Sequence, residues 1–206
     1  MSTSESLSNS SQVIGSNTDN LYHAIDRDNV HGLNLTVPED AKETIKPWDE
    51  RDSTDKYADS NVDDQMVIHV PFSQNVRVKS LLLKLGRGET APQRLRIYTN
   101  YPNIVDFSEA EDLKPSLNIT LLEGETGVVE YPLRMASFSS INTLSLFFSE
   151  SIGGDVTRLY YLGFKGEMRA VRKEGSNKLE IPAANAADAP VDRLAEKTAA
   201  QQPTAK

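Results

Sequence analysis

From Gln65 onward the apolar positions fall in short runs with the two-residue period of half-buried strands. Met66, Ile68 and Val70 alternate with Val67 and His69, and Pro71 predicts the end of that run. His69, opposite the inward parity, reads as a surface residue. Over Asn75–Leu85 the phase changes: Val76 and Val78 share one parity, then Leu81, Leu83 and Leu85 take the other. Such a slip across Lys79-Ser80 predicts a β-bulge or a strand crossing between sheets. Leu95, Ile97 and Thr99 mark the next strand, with Arg94, Arg96 and Tyr98 on its second face, read as a solvated face rather than a ligand-binding stripe. Asn100–Leu113 interrupts the strand pattern, and Asp106 or Ser108 could cap one helical turn there.

Further strands follow at Leu117–Leu121, at Val128–Leu133 and at Asn142–Phe148. The second is an edge strand, because Pro132 has no donor for a central ladder. The last run, Thr157–Met168, is apolar on both faces. Its Tyr160, Leu162, Phe164 and Met168 are expected to face the core beside Leu144, Leu146 and Phe148. Gly163 marks a place where something packs on its backbone, and Gly166 one where it bends or bulges. About seven or eight short strands and no long helix predict an all-β fold, an antiparallel sandwich or jelly roll.

Before Gln65 the pattern is weaker. Residues 1–20 are rich in Ser, Asn and Thr and predict a disordered lead-in. Leu21–Thr36 carries the anchors Ile25, Val30, Leu33 and Leu35 without sustained periodicity, as a short strand or one-turn helix on the domain edge would. Val37–Asp64 is a long irregular segment holding the single tryptophan, Trp48. Loops this long are functional or are ordered by packing, and Trp48 could be the peg that pins this one. The predicted organisation is a lead-in over 1–20, a sandwich domain over 21–171 and a polar tail over 172–206. A flexible tail of that length spans roughly 30–35 Å end to end, enough to reach a partner.

The chain has 206 residues, 30 acidic and 22 basic, for a formal charge of -8. That balance disfavours nucleic acid and anionic membranes as partners. There is no cysteine, so disulfides and thiol chemistry are excluded and a reducing compartment is favoured. No signal peptide and no membrane span are visible, which points to cytoplasm or nucleus. His23, His31 and His69 have no metal-clip spacing, and no nucleophile elbow or phosphate-cradling loop is present. No cofactor is expected. Seven acids between Asp49 and Asp64 face only Arg51 and Lys56. They lack the spacing of an EF-hand and read as a solvated acidic loop rather than a Ca²⁺ site. An enzyme has little support.

Several motifs in this order resemble the PITH domain, named for proteasome-interacting thioredoxin proteins. They are K-P-W-D-E-R (Lys46–Arg51), S-N-V-D-D-Q-M-V-I-H-V-P-F (Ser60–Phe72), N-V-R-V-K-S-L-L-L (Asn75–Leu83), Y-P-N-I-V-D-F-S-E-A-E (Tyr101–Glu111) and L-Y-Y-L-G-F-K-G-E (Leu159–Glu167). The match runs from about Leu21 to about Asp188 and is to the stand-alone form, since no thioredoxin Cys-x-x-Cys is present. The resemblance implies a jelly roll similar to galactose-binding-like and DOC folds, and non-catalytic association with the regulatory particle of the 26S proteasome. The family's tail motif resembles Asn185-Ala186-Ala187-Asp188-Ala189 at Asn185 and Asp188, but not at its proline and histidine positions. Trp48, Asp49, Tyr101, Asn185 and Asp188 are therefore the expected partner-binding residues of a monomeric adaptor in cytoplasm and nucleus. The alternative is a lectin-like sandwich binding a sugar or small polar ligand, for which Trp48 and Tyr101 are the loop aromatics that could stack on a ring.

Overall fold

A computed structural model describes residues 19–169. Asn185, Asp188 and the rest of the predicted tail lie outside the described residues, as do residues 1–18 of the lead-in. The strands are β1 (His31–Leu33), β2 (Ala58–Asp59), β3 (Met66–Leu85), β4 (Pro92–Thr99), β5 (Leu117–Thr120), β6 (Val129–Pro132), β7 (Ile141–Ser151) and β8 (Arg158–Met168). Every pairing among them is antiparallel. The short helices are α1 (Asp40–Glu43), α2 (Phe107–Asp112) and α3 (Met135–Phe138).

β3 organises the sandwich. Its first part, Met66–Pro71, pairs with β7, which continues to β4 and β5; β1 lies on the other side of the same stretch. Its second part, Val76–Leu85, pairs with β8 on one side and with β6 over Ser80–Leu83 on the other. Two layers thus share one strand, and Met66, Ile68, Leu81, Leu83, Leu146, Phe148, Leu162 and Phe164 fill the core between them. Asn20 already bridges to Lys165 at the margin of β8.

Pro71 does not end a strand. The β7 ladder lapses between Pro71 and Val76, where β3 passes from one layer to the other. A residue without an N–H sits there at no loss to a central ladder. The phase change at Lys79-Ser80 is a register shift against β8 between Val78 and Ser80. Both parities therefore supply core residues: Val76 and Val78 before the shift, Leu81 and Leu83 after it.

In β8, Leu162 and Phe164 are in the core as expected, but Tyr160 and Met168 are not. A second shift, between Lys84 and Leu85, leaves Tyr160 as the extra residue, half-buried against Tyr57 at 5.8 Å between ring centroids. Met168, at the end of the strand, is 59% exposed. Gly166 is where backbone approaches most closely: a Cβ there would stand 2.0 Å from the Arg77 carbonyl oxygen.

Candidate functional site

The loop that carries Trp48 starts from a buried cation. Lys46 is 5% exposed, and its Nζ donates to the carbonyls of Ser53 (3.1 Å) and Lys56 (2.7 Å). Burial, and secondarily the nearby Lys84, pushes its pKa down. One ammonium thus ties the start of the loop to its middle and end. Pro47 holds an extended ψ, and Trp48–Glu50 forms one 3-10 turn. Arg51 closes the turn by donating Nη1–H to the Trp48 carbonyl at 2.8 Å, and its guanidinium lies 4.3 Å from the indole centroid. Lys165 of β8 stands 5.8 Å from the same ring and pairs at 2.6 Å with Glu130 of β6. Lys84 of β3 donates to the Asp52 carbonyl. The loop is therefore seated on β8 and β3.

Its acids divide into two groups. Asp59 receives both Nε and Nη2 of Arg158, at 2.7 and 2.6 Å, and Asp64 accepts the Ser151 N–H at 2.7 Å. Asp49, Glu50, Asp52 and Asp55 are exposed, Asp52 pairing with Arg51 at 3.4 Å, and the indole of the same loop is half-buried. Among the described residues no group of three or more His, Asp or Glu is placed to hold a metal ion.

Tyr101 belongs to a different place. It packs, half-buried, on a second apolar cluster of Val67, Tyr98, Val105, Ala110 and Phe147, on the side of the β3–β7–β4 layer away from the main core. Its carbonyl accepts from Thr143 Oγ1 at 2.6 Å. Asp106 caps α2 as expected. It accepts the Glu109 N–H and then the Ser108 hydroxyl, each at 2.8 Å, and these two bonds hold its carboxyl below the usual range, while Glu109 returns a carboxylate to the Asp106 N–H. The covered layer corrects the expected solvated face. Tyr98 is buried, its hydroxyl donating to the Ala110 carbonyl at 2.8 Å, and Arg96 lies 4.2 Å over the Phe147 ring while bonding the same carbonyl. Trp48 thus sits in a 3-10 turn beside β8 and Tyr101 in the segment after β4, on the second cluster, and they form no shared stacking platform.

His69 is also corrected. It is 3% exposed, with Nδ1 2.9 Å from the Ser145 hydroxyl, which accepts the Val105 N–H as well. Burial, then the neighbouring His31, lowers its pKa to about 4, so it is neutral near pH 7. The signal was in the sequence: Met66-Val67-Ile68 is apolar on consecutive positions, so the face that His69 shares with Val67 had to be covered too. Nothing comparable announced that Lys46 is buried.

The PITH domain profile matches residues 11–183. A PITH domain-containing protein of Drosophila melanogaster is 32% identical over 169 residues, covering 82% of this chain and 79% of its own. PITH domain-containing protein 1 of Homo sapiens is 29% identical over 179 residues, covering 86% and 84%. Among solved structures, the C-terminal domain of a chitobiase from Bacteroides fragilis superposes with TM-score 0.50 at 10% identity, over 71% of this chain and 99% of that one. At such identity the likeness speaks for the jelly-roll architecture alone. Profile and relatives agree that the chain belongs to the PITH domain family.

Proposed function

We propose that this chain is a non-catalytic protein-interaction module that docks, as a monomer, on the regulatory particle of the 26S proteasome in cytoplasm and nucleus. The observation that carries the reading is the Trp48 loop. Bonds from Lys46, Arg51 and Lys84 to backbone carbonyls fix its shape, yet Asp49, Glu50, Asp52 and Asp55 are left exposed in the loop that carries the indole. A preformed surface of this kind loses little ordering entropy on binding. Aromatic anchors ringed by polar groups are the usual carriers of interface energy. The family membership supports the same reading.

Capture of purified 26S particles tests it, using the full-length chain, a chain ending at Arg172, and Trp48→Ala. Full-length protein is expected to retain particles and Trp48→Ala to lose most of them. Loss on truncation alone would assign the contact to the segment with Asn185 and Asp188. If neither the full-length nor the truncated chain recovers particles above background, the reading fails. The lectin-like alternative is weakened by the separation of Trp48 from Tyr101, and a glycan-array signal would revive it.

A further inference from the structure

A cleft of about 470 Å³ opens beside the segment that carries Tyr101 and is lined by Asp26, Asp28, His31, Lys42, His69 and Thr143, among others. Its two histidines are not neighbours by accident of a flexible loop. His31 of β1 and His69 of β3 are direct partners in the antiparallel ladder, so their side chains leave the same face of two paired strands. Their ring centroids stand 5.1 Å apart.

In each ring one nitrogen is already engaged. His31 Nδ1 lies 2.8 Å from the Asn29 carbonyl, which can only accept, so this nitrogen carries the proton and Nε2 keeps its lone pair. His69 Nδ1 meets the Ser145 hydroxyl, and that oxygen has lone pairs for both the imidazole N–H and the Val105 N–H. An oxygen partner on one nitrogen is what orients the other nitrogen of a metal-ligating histidine. No hydrogen bond to either Nε2 occurs among the described residues.

We propose that the His31–His69 cross-strand pair is a binding site for a borderline divalent transition-metal ion such as Zn²⁺ or Cu²⁺, held through the two Nε2 atoms. Metal–imidazole bonds of about 2.0–2.1 Å place two rings on one tetrahedral ion with centroids about 5 Å apart, close to the 5.1 Å found. Imidazole nitrogens select this class of ion over Ca²⁺ or Mg²⁺. Asp26 and Asp28 line the same cleft and offset the charge that the ion brings. With no third protein ligand among the described residues, solvent completes the coordination, and the site is a weak one compared with a closed structural zinc centre. The site is independent of the docking surface, since it shares no residue with the Trp48 loop.

The test is a titration of the full-length protein with ZnCl₂, followed by calorimetry and by the ring ¹⁵N signals of the histidines. One equivalent is expected to bind, moving both the His31 and His69 Nε2 signals. His31→Phe keeps a ring against His69 while removing the nitrogen, and is expected to weaken binding at least tenfold without lowering the melting temperature of the metal-free protein. His23→Ala, at an exposed position outside the cleft, is expected to bind as the unaltered chain does. The proposal is overturned if His31→Phe titrates like the unaltered chain, if only the His23 signals move, or if both cleft rings are unmoved at millimolar zinc.

Discussion

Two irregular segments lie on the sandwich and solve opposite problems. The segment from Asn100 to Leu113 is a cover. It places Val105 and Ala110 on Phe147 and Val67, receives Tyr98 and Arg96 on one carbonyl, and closes its helix with a reciprocal cap. The loop from Lys46 to Tyr57 is a display. Its fixed contacts come largely from cations reaching backbone carbonyls, and its carboxylates are left facing solvent. A cover gains from apolar area, whereas a display needs rigid backbone under unspent charge. Comparing the two separates scaffold from candidate interface more sharply than exposure alone, because both contain half-buried aromatics.

Breaking the cover should have the largest effect. Phe147→Ala removes a ring on which Phe107 packs at 5.5 Å and Arg96 at 4.2 Å, and should cost about 3–5 kcal/mol in chemical denaturation. Lys46→Ala should come next, at about 1–3 kcal/mol for two carbonyls left without their donor. Here the diagnostic is locality: hydrogen exchange should rise over residues 46–57 and remain unchanged in α2. Equal acceleration in both segments would contradict a separately anchored display. Asp106→Ala should cost about 1 kcal/mol through loss of the N-cap, read as a lower denaturation midpoint, with proteasome capture intact. The smallest stability effect belongs to Asp49→Ala, within about 0.5 kcal/mol, since it is exposed and makes no internal bond in the structure. In that variant weakened capture with unchanged stability would mark the display as an interface, while unchanged capture would remove Asp49 from it.

The sheet was legible because its determinants are local. Alternation located the main runs, the parity slip at Lys79-Ser80 located a real bulge, and the cap fell on Asp106, one of the two candidates with Ser108. What escaped depends on what lies over a strand. Tyr98 and His69 read as surface positions because period-two reasoning assigns one wet face, and here a distant segment covers it. Tyr160 was misplaced because it is the extra residue of a bulge opposite Lys84-Leu85, visible only from the pairing with β3, and Met168 because the strand ends there, past the covered part of its face. For the candidate site, Trp48 and its acidic company were visible as residues, but not the buried Lys46 that shapes their loop. The pairing of His31 with His69 spans two strands and could emerge only from the register.

That β3 belongs to both layers has a consequence for how the molecule comes apart. Its first part is bonded to β7 and its second to β8 and β6, so neither layer can lose this strand without tearing the other. The sandwich should behave as one cooperative unit, with slowly exchanging amides of β7 and β8 reporting the same opening free energy. Its assembly waits on joining Met66 to Phe148 and Val76 to Met168 across long intervals of chain, which makes folding slow for a domain of this size. A shared strand thus gives the display loop a base that either holds as a whole or is lost as a whole.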